Sequence, residues 1–553
     1  MGCQSVPMIL YRVLLVPTLL MATLGISPFT RIPILTVFNG GGAFLLVFGL
    51  QLLFFALPVL VAEFSIGTYA RGIIKLFRVV PIFQAFGFSF VLLTALTVIV
   101  YGPYVSKCVY AFYYVLFTNL GDFSSNQVGF GQNVTQGFQE LALDKLSFGS
   151  HAVAYLVFCF LVLICLSFSP LSFAIFSTLG FGGVLVIMIL LYIRAATLEG
   201  ASEGVKHFFV PDFDRISNPN FGYTVSSSLV YGIGIGLGLY PTLTKFRKYS
   251  GNHLCLWGID LVIFVILYFL FNIWSGTVMV SYAGFYAFTH GLSVTEVMSG
   301  GGFDYLLYGT VPKILSLLPV RKVWLSLFYL MIIITTVLAK AALVEVLISS
   351  ILDILPRRCD RRSIRLITTV AMVIVVYLLG LIFCGESQLH HLAVVDEHSS
   401  YLICLLISIE LFGLMIYLIF KVAMYGRSIS TGKKIFLIIS AVLTGLLALG
   451  AFSLFIRWLI AYAAGYGDSK PYFLIGLIPG SVFFWGTILV ILVLAVVNRR
   501  KSICRSLFLP SRNTEIELFS WRNPADSEYP GAGYVDMETL REPHVTPQEP
   551  EKY

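Results

Sequence analysis

Long apolar runs alternate with short polar segments along most of the chain. About 20 apolar residues are enough to cross the roughly 30 Å hydrocarbon core of a bilayer as one α-helix. The first run lacks a basic leader and a small-residue cleavage site, so it is interpreted as a span and not as a signal peptide. The pattern predicts about twelve spans, near residues 8–37, 42–70, 82–118, 150–168, 172–195, 223–246, 255–286, 321–352, 363–384, 398–424, 434–459 and 473–498.

Composition supports a membrane protein. Of the 553 residues, 58% are hydrophobic and only 12% are charged, against about 25% charged in soluble domains. Mean hydropathy is +0.90, which leaves too little polar surface to cover a soluble core. The fold class is therefore predicted to be all-α integral membrane, with residues 1–498 as one twelve-helix domain in the lipid bilayer. Residues 499–553 are polar and rich in Pro and Glu, which predicts a disordered tail.

Basic residues give the orientation. They cluster in alternate loops, and the positive-inside bias makes that side cytosolic, together with both termini. The net charge of +8 is explained by these loops, so no nucleic-acid partner is expected. Asn133 begins an N-glycosylation acceptor and lies on the predicted exterior. A multi-pass protein of the plasma membrane is the expected setting. The basic loops contain Arg71, Lys75, Arg78, Lys245, Arg247, Lys248, Arg357, Arg358, Arg361, Arg362, Arg365, Lys421, Arg427, Lys433 and Lys434.

Two spans are interrupted by Gly and Pro. The first carries Gly25, Ile26 and Ser27 before Pro28, and the sixth carries glycines at 232, 234 and 236 before Pro241. Unwound backbone at membrane depth persists only where it is buried in protein or lines a cavity. If spans 1–5 and 6–10 form two inverted five-helix repeats, both breaks lie in the first helix of a repeat, which indicates a midplane binding site. We therefore expect these residues to bind a small solute.

Charged residues inside apolar runs mark further candidates. Glu63 is predicted to brace the broken helices by accepting hydrogen bonds from freed amides. Lys340 and Glu345 either pair with each other or extend toward the cytosolic end, or Lys340 places a fixed positive charge near the transport pathway. Arg31 follows the first break and is expected to form an outer gate with Asp396 or Glu397.

The sequence resembles the neurotransmitter:sodium symporter family (solute carrier family 6). Its strongest block is NGGGAFL at residues 39–45, followed by Pro58, Glu63 and Gly67, and Arg31 precedes the Asn by the eight residues typical of that family. Shorter similarities follow in order to about residue 500. They lie at residues 80–88, 194–213, 245–246, 318–324 and 344–353.

The resemblance implies a secondary active transporter that works by alternating access, with sodium and chloride as the expected co-transported ions. Gly25 matches a position that is Gly in the family's amino-acid transporters, which favours a solute that carries its own carboxylate. Tyr101 matches the tyrosine whose hydroxyl holds that carboxylate. Arg31 with Asp396 or Glu397 resembles the outer gate.

Several positions depart from the family's sodium ligands. Pro28 and Tyr268 stand where the family has Asn, and Leu338 and Ala339 stand where it has hydroxyl residues. Hard cations need oxygen ligands, so weakened or lost sodium sites are predicted, with Lys340 as a hypothetical substitute for a cation. The residual ion-site positions are Met21, Thr23, Leu24, Pro28, Tyr268, Thr335, Leu338, Ala339 and Lys340.

A second hypothesis is a transport-inactive scaffold or sensor. Tyr534 and Met537 fit a YxxΦ sorting signal or, once phosphorylated, an SH2-type ligand in the tail. A channel is disfavoured because rings of pore-lining charge are missing from the sequence. An enzyme is not predicted, since the sequence has no nucleophile–base pair or phosphate loop, and its nine cysteines show no metal-binding spacing.

Overall fold

A computed structural model describes residues 8–70, 74, 84–117, 147–167, 170–218, 220–245, 254–298, 306–354, 361–385, 388–425 and 431–465. Within these ranges every regular element is helical, and an isolated bridge joins Gly41 to Pro211. The prediction of an all-α fold is confirmed. The predicted twelfth span, the glycosylation acceptor at Asn133 and the tail with Tyr534 and Met537 lie outside the described residues.

The helices follow one another with few irregular turns. In chain order they are α1 Met8–Leu24, α2 Arg31–Phe38, α3 Gly42–Gln51, α4 Leu57–Ala70, α5 Gln84–Phe117, α6 Phe148–Ser167, α7 Pro170–Ala196, α8 Ala201–Phe209, α9 Phe221–Ile233, α10 Leu239–Lys245, α11 Leu254–His290, α12 Val294–Met298, α13 Val311–Ser316, α14 Arg321–Ile354, α15 Arg361–Gly380, α16 Gln388–Tyr425 and α17 Thr431–Gly465. A π-helical turn at Leu52–Ala56 joins α3 to α4 in one continuous span.

Most of the predicted spans coincide with helices. In the described part of the chain, nine helices are long and apolar enough to cross a membrane. The broken helices α1–α2 and α9–α10 account for the predicted first and sixth spans. The short helices α8, α12 and α13 were not predicted, because they are too short to give a membrane-length apolar run.

The degree of burial separates inner helices from lipid-facing ones. In α14, 72% of the apolar stretch is buried, and in α5 the share is 61%, against 22% for α15 and 28% for α7 and α17. Apolar side chains such as Ile367, Leu179 and Leu446 remain exposed on those outer helices, as expected for surfaces that contact lipid. Helices α5 and α14 pack against each other, so they form the inner wall beside the helix breaks.

The Gly-rich block after α2 docks the end of α8. Gly40 and Gly41 have φ of 86° and 55°, and the Asp212 amide donates to the Gly40 carbonyl oxygen at 3.0 Å. A Cβ atom on Gly41 would lie 2.5 Å from the Val210 carbonyl oxygen. Only glycine tolerates both the positive φ and this close approach. The packing against the end of α8 therefore explains why glycines stand at these positions of the NGGGAFL block.

Candidate functional site

The first break lies between α1 and α2. Gly25 has φ of 46°, and a short 3₁₀ turn at Ser27–Phe29 follows it. Pro28 has no amide hydrogen, so it cannot continue the α-helical hydrogen bonds. The Ile26 carbonyl oxygen instead accepts from the Phe29 amide at 3.1 Å and from the Thr30 hydroxyl at 3.2 Å. The chain therefore turns through the six residues 25–30 before α2 begins.

The second break lies between α9 and α10. Gly234, Gly236 and Gly238 have φ of 72°, 76° and 68°, a conformation that glycine adopts without steric cost. Two freed carbonyl oxygens accept side-chain hydroxyls, that of Ile233 from Tyr240 at 2.7 Å and that of Leu237 from Thr94 at 2.8 Å. Thr94 belongs to α5, so this inner helix holds the unwound segment in place.

Glu63 on α4 contacts the second break. Its carboxylate is fully buried, and Oε1 accepts a hydrogen bond from the Gly236 amide at 2.6 Å. Glu410, also buried, lies on α16 and interacts electrostatically with Glu63. The Gly236 amide has no helical acceptor because the chain is unwound there. The carboxylate therefore supplies the acceptor that the break removes.

Helix α11 joins the two breaks. The Ser275 hydroxyl donates to the Pro28 carbonyl oxygen at 2.9 Å. A Cβ atom on Gly232 would lie 2.6 Å from the Tyr268 hydroxyl and 3.6 Å from the Ser27 hydroxyl. Both hydroxyls are buried, and neither has an acceptor among the described residues, although the Tyr268 hydroxyl lies beside the Asn272 side chain; the Asn272 amide oxygen likewise has no donor there. The Tyr268 hydroxyl of α11 and the Ser27 hydroxyl of the first break therefore meet beside Gly232 of α9.

Two tyrosines and two cations contact one another next to the breaks. The Tyr101 and Tyr231 rings are 6.0 Å apart between centroids. Lys340 places its ammonium 5.1 Å from the Tyr101 centroid, and the Arg31 guanidinium carbon lies 5.2 Å from the Tyr231 centroid. Both distances are within the range of cation–π attraction. Tyr231 was not singled out from the sequence, although its position directly before Gly232 was the available signal.

The hydroxyls at the residual ion-site positions turn back onto their own helices. Thr23 donates to the Leu19 and Leu20 carbonyls at 3.0 and 3.1 Å, and Thr335 donates toward those of Met331 and Ile332 at 3.2 and 3.0 Å. The other positions offer packing atoms. Met21, Leu24 and Leu338 are buried, and the Ala339 methyl is 3.8 Å from where a Cβ on Gly25 would be.

The predicted charge pairs rearrange. Glu345 pairs with Arg365 through two hydrogen bonds of 3.0 and 2.8 Å, so the expectation that it pairs with Lys340 is wrong. Lys340 does not extend along its helix toward the cytosol, because its ammonium donates to the Thr97 carbonyl oxygen on α5 at 3.1 Å. For the outer gate, Asp396 and Glu397 lie on α16, but their side chains lie outside the described residues.

Alanine substitutions in the second break separate backbone strain from lack of space. Gly236→Ala is expected to destabilise the protein by about 2–4 kcal/mol, from a positive φ and overpacking together. Its Cβ would lie 2.7 Å from Ile407 Cγ1. Gly234→Ala meets only Leu239 at 3.6 Å, so we expect the strain alone, about 1–2 kcal/mol. Thermal unfolding in one detergent measures both, and equal losses would contradict the overlap with Ile407.

Comparisons with known proteins agree with this architecture. The sequence profile of the sodium:neurotransmitter symporter family matches residues 18–128 and 133–501. The chain is 24% identical over 415 residues to the sodium- and chloride-dependent GABA transporter 2 of Mus musculus, covering 69% of this chain and 68% of that protein. It is 26% identical over 442 residues to the sodium- and chloride-dependent glycine transporter 1 of Xenopus laevis, covering 69% and 67%.

A third relative is the sodium- and chloride-dependent neutral and basic amino acid transporter B(0+) of Mus musculus, 23% identical over 429 residues, covering 68% of this chain and 66% of that protein. The chain thus spans about two thirds of the length of these relatives. The family profile covers most of the chain, so the protein belongs to the sodium:neurotransmitter symporter family. It is a multi-pass membrane protein of a symporter family and not an enzyme.

Proposed function

We propose that the protein is a secondary active transporter that moves an amino acid or amino-acid-like solute by alternating access at the two helix breaks. The observation that carries this proposal is the meeting of both breaks around Gly232, through the Ser275–Pro28 hydrogen bond and the Ser27 and Tyr268 hydroxyls. The Tyr101 ring packs against the Tyr231 ring, and Tyr231 directly precedes Gly232. Solute is held by Gly25, Ile26, Ser27, Tyr101 and the glycines of the second break.

Sodium coupling is weakened or lost in this proposal. Sodium needs several oxygen ligands at once, and the hydroxyls of Thr23 and Thr335 are engaged within their own helices. A protein hydroxyl, that of Ser275, already donates to the Pro28 carbonyl oxygen. The sodium and chloride dependence named for the relatives is the behaviour against which this chain is to be compared.

Other parts of the proposal concern residues around the site. Arg31 forms an outer gate with Asp396 or Glu397, and Glu63 braces the second break. Asn133 carries a glycan on the outside of a plasma membrane, and both termini are cytosolic. The tail presents Tyr534 and Met537 to a sorting or SH2-type partner.

The hydroxyl of Tyr101 provides the first test. Tyr101→Phe keeps the ring between Lys340 and Tyr231 but removes the hydroxyl, so uptake of the transported solute is expected to fall at least about tenfold. The measurement is uptake of a labelled amino-acid panel in expressing cells, in sodium and in choline medium. Tyr113→Phe is the matched control, because Tyr113 lies on the same helix and is 58% exposed.

Comparing uptake between the two media, and between Tyr101→Phe and its control, distinguishes the possible conclusions. Equal uptake in both media supports lost sodium coupling, and uptake only in sodium would contradict that part of the proposal. No uptake of any solute by protein at the cell surface would favour the transport-inactive scaffold and direct attention to the tail. Unchanged uptake in Tyr101→Phe would show that the solute binds elsewhere.

A further inference from the structure

Lys340 is buried in the protein interior, and no acidic side chain among the described residues pairs with it. Its side chain is 8% exposed, and its contacts are the Thr97 carbonyl oxygen at 3.1 Å and the Tyr101 ring. Neither contact has a formal charge. The nearest acidic residue along α14, Glu345, is bound to Arg365. A charge buried in a membrane protein is costly and usually marks a functional site.

A small cavity lies beside the aliphatic part of the Lys340 side chain. Lys340, Tyr155 and Cys159 line it together with apolar residues. Its volume is about 20 Å³, which is room for about one water molecule. The cavity surface is apolar, so the described partners of the ammonium are the Thr97 carbonyl oxygen and the Tyr101 ring. Lys340 therefore acts on the site through Tyr101 and is a positioning residue.

The hydrogen-bonding groups at the breaks include buried donors that suit an anion. The carbonyl oxygens there are partly engaged, because those of Ile26, Pro28, Ile233 and Leu237 each accept a hydroxyl of the protein. The Ser27 and Tyr268 hydroxyls remain as donors beside Gly232. Donors together with an uncompensated cation are the arrangement that binds carboxylates.

The acidic groups near the breaks contact a different segment. Glu63 binds the Gly236 amide, where a Cβ atom would meet Ile403 and Ile407 of α16. Glu410 interacts with Glu63 from the same helix α16. Lys340 of α14 contacts Thr97 and Tyr101 of α5. A charge on Lys340 therefore acts on the side of the breaks where Tyr101 lies.

We propose that this site selects solutes with a net negative charge, namely small carboxylates that lack a compensating ammonium group. Lys340 withdraws electron density from the Tyr101 ring, which strengthens the Tyr101 hydroxyl as a donor to a carboxylate. Ser27 and Tyr268 supply further donors, and Asn272 leaves one neutral acceptor for a polar group of the solute. This inference rests on the proposed function and narrows its substrate class to the amino-acid-like solutes that keep the carboxylate but lack the ammonium group.

The test compares carbon-matched solutes on the purified full-length chain. The probes are leucine beside 4-methylpentanoate and 4-aminobutanoate beside butanoate, and ligand-induced thermal stabilisation reports binding. For the wild type, each deaminated acid is expected to reach half-maximal stabilisation at a concentration about tenfold lower than its amino acid. Lys340→Met should bring that ratio to about one, and Lys340→Arg should restore the preference.

Two further variants keep the test decisive. Lys313→Met is the matched control, because Lys313 lies 6.0 Å above the Tyr286 ring between α13 and α11 and should leave the ratio unchanged. Tyr268→Phe removes one donor with little change in volume and should weaken binding of the acids about tenfold, even if Lys340→Met fails to fold.

The outcomes separate the two proposals. One result overturns the charge selectivity and leaves the proposed function standing: amino acids bind, and binding is lost in Tyr101→Phe, but the deaminated acids are not preferred. A preference for the acids that survives Lys340→Met has the same meaning. If no solute of either kind stabilises the wild type, the charge selectivity and the proposed function both fail.

Discussion

Glu63→Ala is expected to reduce uptake about 100-fold. The substitution removes a buried hydrogen bond and leaves the Gly236 amide without an acceptor, which together cost about 3 kcal/mol, or two powers of ten in the population of the intact site. The hydrogen bond of 2.6 Å from the Gly236 amide to Glu63 Oε1 connects the unwound segment to α4. Initial uptake rates, normalised to protein at the cell surface, provide the measurement.

Two controls separate the acceptor from the charge and from the helix. Glu63→Gln keeps an oxygen that can accept from Gly236, so it should retain more uptake than Glu63→Ala. Ser65→Ala is on the same helix, where the hydroxyl donates to the Val61 carbonyl of its own turn, and should have little effect. The brace would be rejected if Glu63→Ala transported as well as Ser65→Ala.

The sequence predicted the breaks well because their cause is local. Pro28 lacks an amide hydrogen and glycines adopt positive φ, so both features can be read from residue type alone. The buried Glu63 was expected to meet freed amides, since a carboxylate at membrane depth needs donors. Its actual partner, Gly236, lies 173 positions away, and only the assembled helices identify it.

The direction of Lys340 could not be predicted from the sequence. Helix α14 is apolar around most of its circumference, so hydropathy does not show which neighbour each side chain contacts. The Glu345 at a spacing of five residues suggested a pair, but α15 brings Arg365 to that carboxylate with a better, two-bond geometry. The hydrogen bond of Ser275 to Pro28 likewise depends on how α11 packs between the breaks.

The Glu345–Arg365 pair leads to the other large expected effect. Arg365→Met is expected to destabilise the protein by about 3–5 kcal/mol, because it leaves a carboxylate buried without its partner. The two side chains are 4% and 17% exposed, so solvent cannot compensate for the loss. The midpoint of thermal unfolding in one detergent, compared with the wild type, measures this effect.

A double variant distinguishes the value of the pair from the cost of orphaning one charge. Glu345→Leu combined with Arg365→Met removes both charges, and we expect stability to return to within about 1 kcal/mol of the wild type. Arg457→Met, at an exposed arginine on α17, controls for the loss of one positive charge. If Arg365→Met behaved like Arg457→Met, the pair would contribute nothing to joining α14 and α15. Recovery in the double variant would instead show that the loss in Arg365→Met comes from the buried, unpaired carboxylate and not from the absence of the pair itself.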